Sequence, residues 1–574
     1  MGECRMSRSI SLAVALFAML PANAAAQSTP MPPMPGMADA PAPPALPQSI
    51  ADWAKGARLF DGLGTFHRTI VTTSSEAQRY FDQGMRLIWA FNHDEAARSF
   101  ARASELDPKC ALCFWGLGLA LGPNYNMPLM AEARAKVAWD ALGKARALAS
   151  QATPAEQALI AALARRYTGP TALDPSNEAP LLAAYAGAMR DAARRFPADN
   201  DIQTLYAEAL MNITPWKLWQ HDGTPAPGTT EIVTTLEQVL TRNPSHPGAN
   251  HYYIHAVEAS KHPEKALASA LRLKAMMPAA GHLVHMPSHI LQRVGRYEES
   301  AEANRRGAAA DIAYYAQTAP IDYYPMYTAH NYQFLAFAAA MEGRRAETIA
   351  ALRKSREGLS DEMLAGMGGV DWYVGALYTA MVRFGLWDEI LREPAPNPKV
   401  AGLHIAYLEA KATALAQTGH ADQADIVADQ LDAAIKAAPA DLMAGMNSGR
   451  AAYRIAGLKA RGRIALARGK SADALALLRE AVSAEDALDY DEPSDEFFPV
   501  RHLLGAALLV AGKPAEAAQV YRDDLARNPA NGWALFGLYQ ALKTQGHKAE
   551  ALVAHRRFVA AWAHADTRPE MSAF

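Results

Sequence analysis

Residues 505–551 read GAALLVAGKPAEAAQVYRDDLARNPANGWALFGLYQALKTQGHKAEA, and the architecture of the chain can be worked out from them. Ala and Leu recur here with helical periodicity, and Gly512 and Gly546 stand 34 residues apart, each at the end of an apolar segment. A glycine just past the last periodic residue is typical of a helix C-terminus. The stretch therefore predicts helices joined by tight turns and repeated with a fixed period.

The same pattern extends through most of the 574-residue chain. From residue 51 onward, Ala- and Leu-rich segments of helical periodicity dominate, and runs of alternating β-branched residues are nearly absent. Further turn glycines follow such segments at Gly295, Gly343, Gly419 and Gly469. The sequence therefore predicts an all-α fold.

The 505–551 stretch resembles a tetratricopeptide repeat, a helix-turn-helix unit of about 34 residues. Its markers are Gly505 in the first helix, Gly512 at the turn, Ala517 in the second helix and Pro529 at the end of the unit. Residues 80–121 resemble the same unit. Such repeats bury their apolar faces by stacking on one another, which produces a curved inner surface. The resemblance implies a tetratricopeptide-like helical-hairpin solenoid, and an exported, bacterial-type member of that superfamily.

The first 50 residues differ in composition from the rest. Residues 1–26 combine Arg5 and Arg8 with a short apolar run and small residues, an order typical of a secretory signal peptide cleaved near Ala24 or Ala26. Residues 27–50 are rich in Pro, Met and Ala, which predicts a disordered linker. We therefore expect a periplasmic or secreted protein, and no later segment is apolar enough to span a membrane.

Three tetratricopeptide-like helical regions are expected after the linker: an N-terminal region (51–240), a histidine-rich central region (241–350) and a C-terminal region (351–574). Seven of the seventeen histidines lie between residues 246 and 289, where uniform scatter would place about one. Two pairs, His251 with His255 and His285 with His289, recur 34 residues apart. Residues four apart share a helix face, so successive hairpins are expected to direct these imidazoles toward one place on the concave face.

The repeat register predicts a multi-histidine transition-metal or ligand site. Its predicted metal ligands are His251, His255, His282, His285, His289 and His330. Glu258, three residues past His255, is either a further ligand or a catalytic general base. Gln292, Tyr323 and Tyr324 are predicted to contact a bound ligand. Imidazole-rich sites suit transition metals better than magnesium or calcium, so zinc, copper or iron is the expected cofactor.

Three neighbouring features carry expectations of their own. The tyrosine-rich insertion before Gly343 is either a flap over the histidines or a packed loop. Pro287 cannot continue a helix, which leaves His282 and His285 on a turn ahead of a helix that begins near Met286. The seven carboxylates between residues 485 and 496 lack a calcium-loop pattern and are expected to form a solvated acidic loop.

Composition and short motifs disfavour several functional classes. The net charge of −3 and the pI near 6.6 supply no basic face, so nucleic acid is not an expected partner. The common short motifs of serine hydrolases, phosphate-binding loops and zinc proteases are absent. Cys110 and Cys113 form a C-x-x-C without a second pair, which predicts a local disulfide or two packed thiols rather than a zinc ribbon.

Three functions remain compatible with the sequence. The first is an exported repeat protein that binds a transition metal, with a small-molecule, peptide or protein ligand in its concave groove. The second is a metal-dependent enzyme, hydrolytic or oxidative, in which Glu258 moves protons. The third is a plain protein-interaction scaffold whose histidines make only hydrogen bonds. We expect the first, because the repeat resemblance implies a binding role.

Overall fold

The computed structural model describes residues 46–320, 324–357, 359–366 and 369–573. The predicted signal peptide, residues 27–45 of the predicted linker and Tyr323 lie outside these ranges. The first described helix begins at Ile50, where the predicted linker ends.

Helices follow one another along the described chain. The N-terminal part contains α1 (Ile50–Ala54), α2 (Ser75–Trp89), α3 (His93–Leu106), α4 (Ala111–Ala120), α5 (Glu132–Leu148), α6 (Pro154–Leu163), α7 (Ala179–Arg195), α8 (Asn200–Met211) and α9 (Thr229–Arg242). The central part contains α10 (Pro247–Glu258), α11 (Leu267–Met276), α12 (Gly281–His285), α13 (Pro287–Arg293), α14 (Tyr297–Tyr315), α15 (Pro325–Met341) and α16 (Arg345–Arg356). The C-terminal part contains α17 (Asp361–Gly366), α18 (Val370–Arg383), α19 (Trp387–Arg392), α20 (Ala401–Gln417), α21 (Ala421–Ala437), α22 (Gly449–Ala467), α23 (Ser471–Asp486), α24 (Val500–Val510), α25 (Pro514–Arg527), α26 (Gly532–Thr544) and α27 (Lys548–Ala561).

Two short 3-10 helices and one small strand pair complete the described elements. The 3-10 helices are Ala149–Gln151 and Pro263–Ala266, and the strands are β1 (Met443–Ala444) and β2 (Asn447–Ser448). The strands pair antiparallel, with Met443 opposite Ser448. Helices therefore dominate the described chain, as the composition predicts.

Each helix packs chiefly on its neighbours in sequence. α2 packs on α3 and α3 on α4, and the same succession joins α14 to α15, α15 to α16 and α22 through α27. One apolar core runs from Ile50 to Tyr327, a second spans Tyr297 to Trp533, and a third joins residues of α23 to α27. The predicted all-α solenoid of helical hairpins is confirmed, whereas the region boundaries at 240 and 350 stay predictions. Among the described helices, none combines the length and low charge needed to cross a membrane.

Most tight turns between packed helices are closed by one kind of hydrogen bond. At Gly295, which has a φ of 76°, the next residue donates its backbone N–H to the carbonyl of Leu291 at 2.8 Å. This bond ends a helix with a left-handed residue, usually glycine. The same bond closes the turns at Gly343, Gly385, Gly419, Gly469, Gly512 and Gly546. Between α2 and α3 it runs from Asn92 to Leu87, but Phe91 occupies the glycine position with a φ of 54°.

The helix that would carry the second histidine pair is interrupted at Pro287. α12 ends at His285 and α13 begins at Pro287, because proline fits the first turn of a helix but not its interior. The predicted interruption is therefore present. The expectation that His282 and His285 lie on a turn is wrong, since both belong to the short helix α12.

Candidate metal centre

The first helices of three successive hairpins carry the predicted metal ligands. α10 carries His251, His255 and Glu258, α12 and α13 carry His282, His285 and His289, and α15 carries His330. Of these side chains, His330 is 8% exposed and the other six are at most 2% exposed. The structure therefore brings the seven residues together in an enclosed position rather than on an open groove surface.

Neutral oxygen acceptors fix two of the imidazoles. His251 Nδ1–H donates to the Trp89 carbonyl at 2.6 Å, and His285 Nδ1–H donates to Asn304 Oδ1 at 2.6 Å. Asn304 Nδ2 donates to the Ser300 carbonyl at 2.7 Å, which turns the amide oxygen toward His285. Because each Nδ1 carries the proton, Nε2 of each neutral ring offers a lone pair.

Carboxylates fix two further imidazoles. Glu258 accepts from His255 Nδ1 at 2.7 Å and from His289 Nδ1 at 2.6 Å, one oxygen to each ring. Glu492, between α23 and α24, also lies 2.6 Å from His289 Nδ1. Tyr490 Oη lies 3.3 Å from an oxygen of each carboxyl group, and its one hydrogen can be donated to either. Glu258 thus bridges two predicted ligands, and Glu492, which the sequence did not predict, joins them.

The remaining ring nitrogens face one another across the centre. The Nε2 atoms of His251 and His282 are 3.2 Å apart, and those of His285 and His289 are 2.7 Å apart. Buried Nε2 of His255 and Nδ1 of both His282 and His330 have no hydrogen-bond partner among the described residues. Leaving a buried polar atom unpaired is costly, so a bound ion would satisfy several of these atoms at once.

Burial keeps most of these imidazoles neutral. Burial lowers the pKa of His255, and burial with the charge of neighbouring histidines lowers the pKa far below its ordinary value for His251, His282, His285 and His330. At His289 burial opposes the charge, but Glu492 and Glu258 outweigh burial and raise the pKa to about 10. The neutral imidazole is the form that binds a metal ion.

Of the two carboxyl groups, that of Glu492 is protonated and that of Glu258 is ionised. Burial and the charge of Glu258 raise the pKa of Glu492 well above its ordinary value. Burial also acts to raise the pKa of Glu258, but the His289 charge and the hydrogen bond from Glu492 hold it well below its ordinary value. The centre therefore already stores one positive and one negative charge in close contact.

The candidate ligand atoms form three overlapping groups, and within each group the atoms lie within 4.8 Å of one another. Two groups contain only histidines, namely His251, His255 and His282, and His285, His289 and His330. The third group mixes His255 and His289 with Glu258 and Glu492. A cavity of about 20 Å³ lies beside them, lined by Asn126, Trp216, His255, His282, His289, Tyr327, His330, Met446, Asp491 and Glu492. This volume has room for a water-sized group and not for a peptide.

Aromatic rings wall the first histidine group. The Phe91 ring centroid lies 4.4 Å from that of His251 and 5.4 Å from that of His282. The ring centroids of Trp216 and His255 are 5.3 Å apart, and the two rings pack edge to face. Phe91 and Trp216 are two of the three described non-glycine residues with positive φ. Strained backbone therefore holds rings against the centre on two sides.

The tyrosine-rich insertion is packed in its described part rather than open as a flap. Tyr324 Oη donates to Asp311 at 3.0 Å, and the Tyr324 ring is buried. Tyr327, at the start of α15, contacts the cluster instead, with its ring centroid 4.4 Å from that of His282. Asn126 Nδ2 donates to Tyr327 Oη at 3.2 Å and also lines the small cavity.

Three predicted ligand contacts stay predictions. Gln292 is buried in α13, and its side-chain oxygen has no hydrogen-bond partner among the described residues. Tyr324 faces Asp311. Tyr323 lies outside the described residues.

The expectation of a solvated acidic loop is wrong for the C-terminal half of the 485–496 segment. Asp491, Glu492, Asp495 and Glu496 are each at most 9% exposed. Partners from distant helices are buried with them, including Tyr373 on Asp491 and Lys459 on Glu496. The density of carboxylates was the available signal, but nothing in the local sequence pointed to those partners.

Fold and cluster together define an all-α helical-hairpin protein with a buried histidine–carboxylate centre and a Cys110–Cys113 disulfide. No protein-family model and no curated protein matches the sequence.

Several solved structures are distantly similar to this chain. The human IFIT1 dimer with m7Gppp-AAAA is 12% identical, covers 85% of this chain and 90% of that chain, and has a TM-score of 0.30. The Cut9–Hcn1 hetero-tetramer of APC/C is 12% identical over 85% of this chain and 74% of that chain, with a TM-score of 0.29. The P58(IPK) TPR domain is 12% identical, covers 85% of this chain and 93% of that chain, and has a TM-score of 0.20. Such values transfer no function, and the architecture rests on the helices of the chain itself.

Proposed function

We propose that this protein is an exported helical-repeat protein that binds a transition metal at its central histidine cluster. The observation that carries the proposal is the set of oriented imidazoles. His251, His255, His285 and His289 each direct Nδ1 to an oxygen atom, and their other nitrogens lie toward the centre. Metal-binding histidines characteristically have such a partner on the non-ligating nitrogen, because it fixes the tautomer and the ring orientation.

The cluster also has the charge state and burial that a metal site needs. Five of the six imidazoles are held neutral by burial, and a neutral ring offers its lone pair without losing a proton. A plain scaffold would gain nothing from three buried ring nitrogens without partners. Imidazole nitrogen favours zinc, copper, iron or nickel over magnesium and calcium.

In this proposal Glu258 orients ligands rather than binding the ion itself. Both of its carboxylate oxygens already accept hydrogen bonds from His255 and His289. It also supplies negative charge beside the ion, which offsets the cost of burying positive charge.

Export is supported by the N-terminal composition and by the disulfide. Disulfides persist in oxidising compartments and are rare in the cytosol, and Cys110 and Cys113 are joined by one. A peptide or protein partner, also expected from the repeat resemblance, would bind away from the cluster, because the cavity there is only about 20 Å³.

Metal content after purification tests this function. The protein is incubated separately with zinc, copper(II) and iron(II) and then desalted. Its metal content is measured by inductively coupled plasma mass spectrometry. We expect stoichiometric retention of at least one of these metals, and loss of that retention in a His255→Gln, His289→Gln double variant. The matched control is His262→Gln with His547→Gln, because both of these histidines are exposed and each pairs with a glutamate. Equal metal content in the two double variants, or none in the wild type, would leave only the plain scaffold.

A metal-dependent enzyme is the second candidate, favoured by the small cavity beside the ligands. Catalytic metal sites keep a coordination position open, whereas structural sites are closed, and a cavity of about 20 Å³ admits only molecules of the size of water or dioxygen. Nitric oxide, which is about the size of dioxygen, tests for the open position in the iron(II)-loaded protein. A new absorption band on adding nitric oxide would support the enzyme, and an unchanged spectrum would support a closed binding site.

A further inference from the structure

We propose that the cluster holds two copper ions, one in each of its two three-histidine groups. This inference rests on the proposed function and specifies the number and kind of ions. The first site comprises His251, His255 and His282, and the second comprises His285, His289 and His330.

The two histidine groups are structurally separate half-sites. α10 supplies two ligands of the first group and α12 the third, whereas α12, α13 and α15 supply one ligand each to the second. Within the first group, the 3.2 Å between Nε2 of His251 and Nε2 of His282 is close to the roughly 3.4 Å expected for two nitrogens bound at about 2.1 Å in a tetrahedral site. Within the second group, His285 and His289 lie at hydrogen-bond distance, and an ion would replace the shared proton.

The hydrogen-bond pattern favours the two histidine groups over the mixed group. In the mixed group, Nδ1 of His255 and Nδ1 of His289 lie 2.7 Å and 2.6 Å from Glu258 oxygens. Each of these nitrogens is already paired with a Glu258 oxygen, so an ion bound by the same atoms would break both hydrogen bonds. Binding through Nε2 leaves both hydrogen bonds in place.

The two half-sites are neighbours rather than distant sites. His255 and His289 have ring centroids 5.5 Å apart, and His282 and His285 have centroids 5.7 Å apart, with one member of each pair in each group. The small cavity is lined by His255 and His282 from the first group and by His289 and His330 from the second. Two ions in these positions share one enclosed space.

Ligand type and charge point to copper in its reduced, singly charged state. An imidazole binds an ion as a neutral ring, so the proton on His289 leaves when an ion binds, and the two neighbouring carboxyl groups, Glu258 and Glu492, supply at most two negative charges. Two ions of charge +1 are balanced when Glu492 also releases its proton, whereas two divalent ions would leave uncompensated buried charge. Met446 lines the same cavity, and its thioether is a soft group that suits copper(I).

Native mass spectrometry of the folded protein counts the ions directly. The disulfide-intact protein is titrated anaerobically with copper(I), and in parallel with zinc(II). His282→Gln and His330→Gln are the chosen variants, because the Nδ1 atoms of these two histidines hold no hydrogen bond that the substitution would remove. His262→Gln, at an exposed position, is the control.

We expect two copper ions in the wild type and in His262→Gln. We expect one ion in each of the single variants His282→Gln and His330→Gln, and none in the variant that carries both substitutions. A wild-type count of one would overturn the two-ion proposal while leaving the proposed function intact. Loss of all copper in either single variant would also overturn it, since that result means a shared ion. Two zinc ions without copper binding would overturn the choice of metal. A wild type that binds neither metal would overturn the proposed function as well. The wild-type count does not depend on the folding of any variant.

Discussion

Phe91 occupies a turn position that glycine fills in seven other hairpins of the described chain. A non-glycine residue in the left-handed region costs roughly 1–2 kcal/mol. In return the Phe91 ring covers His251 and His282, with centroid distances of 4.4 and 5.4 Å. The strained backbone at this residue is therefore compensated by its packing on the imidazoles.

We predict that Phe91→Gly is more stable than Phe91→Ala by about 1 kcal/mol, although both lose about 3–5 kcal/mol of ring packing relative to the wild type. Glycine relieves the positive φ of 54° and alanine does not. Chemical denaturation of the metal-free proteins measures the difference. An alanine variant as stable as the glycine variant would contradict the interpretation of the turn.

Glu258→Gln should weaken metal binding by about 10- to 100-fold, the usual effect of losing a group that orients a ligand. A glutamine oxygen can still accept from one imidazole, but its NH₂ group cannot accept from the other. Competition with a metal chelator measures the affinity. Glu264→Gln is the matched control, because Glu264 pairs with the exposed His262. A change of less than twofold in Glu258→Gln would contradict the orienting role.

The histidines of the centre were predictable and its second carboxylate was not. A 34-residue offset between His251 and His285 places both on first helices in one register, which the sequence displays directly. Glu492 lies 203 residues from His289. It belongs to a connection between helices, where no repeat register applies, so its position depends on packing between segments far apart in sequence.

At the scale of the helices, Asp311 fixes α15, and with it His330, against α14. The Asp311 carboxyl group accepts hydrogen bonds from Tyr324, Thr328 and Asn331 at 3.0, 3.2 and 2.9 Å. Gly281 permits this contact, because a Cβ at that position would lie 1.9 Å from Asp311 Oδ1. The pairing of α12, α14 and α15 therefore depends on one buried acid and one missing side chain.

Asp311 should make the protein less stable as the pH rises from about 4 to about 7. Burial raises its pKa from 3.8 to about 7, against the effect of the Tyr324 and Thr328 hydrogen bonds. Below pH 3.8 both states bind the proton, and above it the unfolded state ionises first, so the free energy of unfolding falls until the pH passes about 7. The equilibrium constant for unfolding should rise by up to about tenfold per pH unit in this window.

Asp311→Asn isolates this contribution, because asparagine does not titrate. Denaturation of the wild type and the variant at a series of pH values gives two slopes, and we expect the shallower slope in Asp311→Asn. Equal slopes between pH 4 and 7 would show that Asp311 is already ionised in the folded state.

Individual helices were largely predictable from Ala, Leu and glycine spacing, and the interruption at Pro287 was predictable from the missing N–H. The burial of the site was not. Residues from outside the repeat register fill the groove at that point, among them Trp216 and Met446. Their contact with the histidines depends on packing between segments far apart in sequence.

Across the whole molecule, C-terminal hairpins pack back on the central ones. Trp533 Nε1 donates to the Ala340 carbonyl at 2.7 Å, and Asp566 accepts from the backbone N–H groups of Arg345 and Ala346 at 2.6 and 2.9 Å. Glu492 makes a comparable long-range contact inside the centre. Segments more than 190 residues apart thus stabilise one another.

Metal binding should therefore slow backbone hydrogen exchange in the 487–499 connection as well as in α10, α12, α13 and α15. At a free metal concentration of 100 times the dissociation constant, the bound state gains about 2.7 kcal/mol, which corresponds to roughly hundredfold slower exchange for amides that exchange by opening of the centre. Mass spectrometry of exchanged peptides measures this, with α21, which packs on α20 and α22, as the internal reference. Protection confined to residues 247–341 would show that Glu492 is not coupled to the centre.

The near-complete burial of the imidazoles has a kinetic consequence. An ion seated where every ligand is at most 8% exposed cannot be reached by a chelator until neighbouring hairpins part. The residence time of the ion is then governed by how often neighbouring hairpins separate transiently, and not by the strength of individual coordination bonds. A protein built in this way would bind its metal ion slowly and retain it even where the free metal concentration is low.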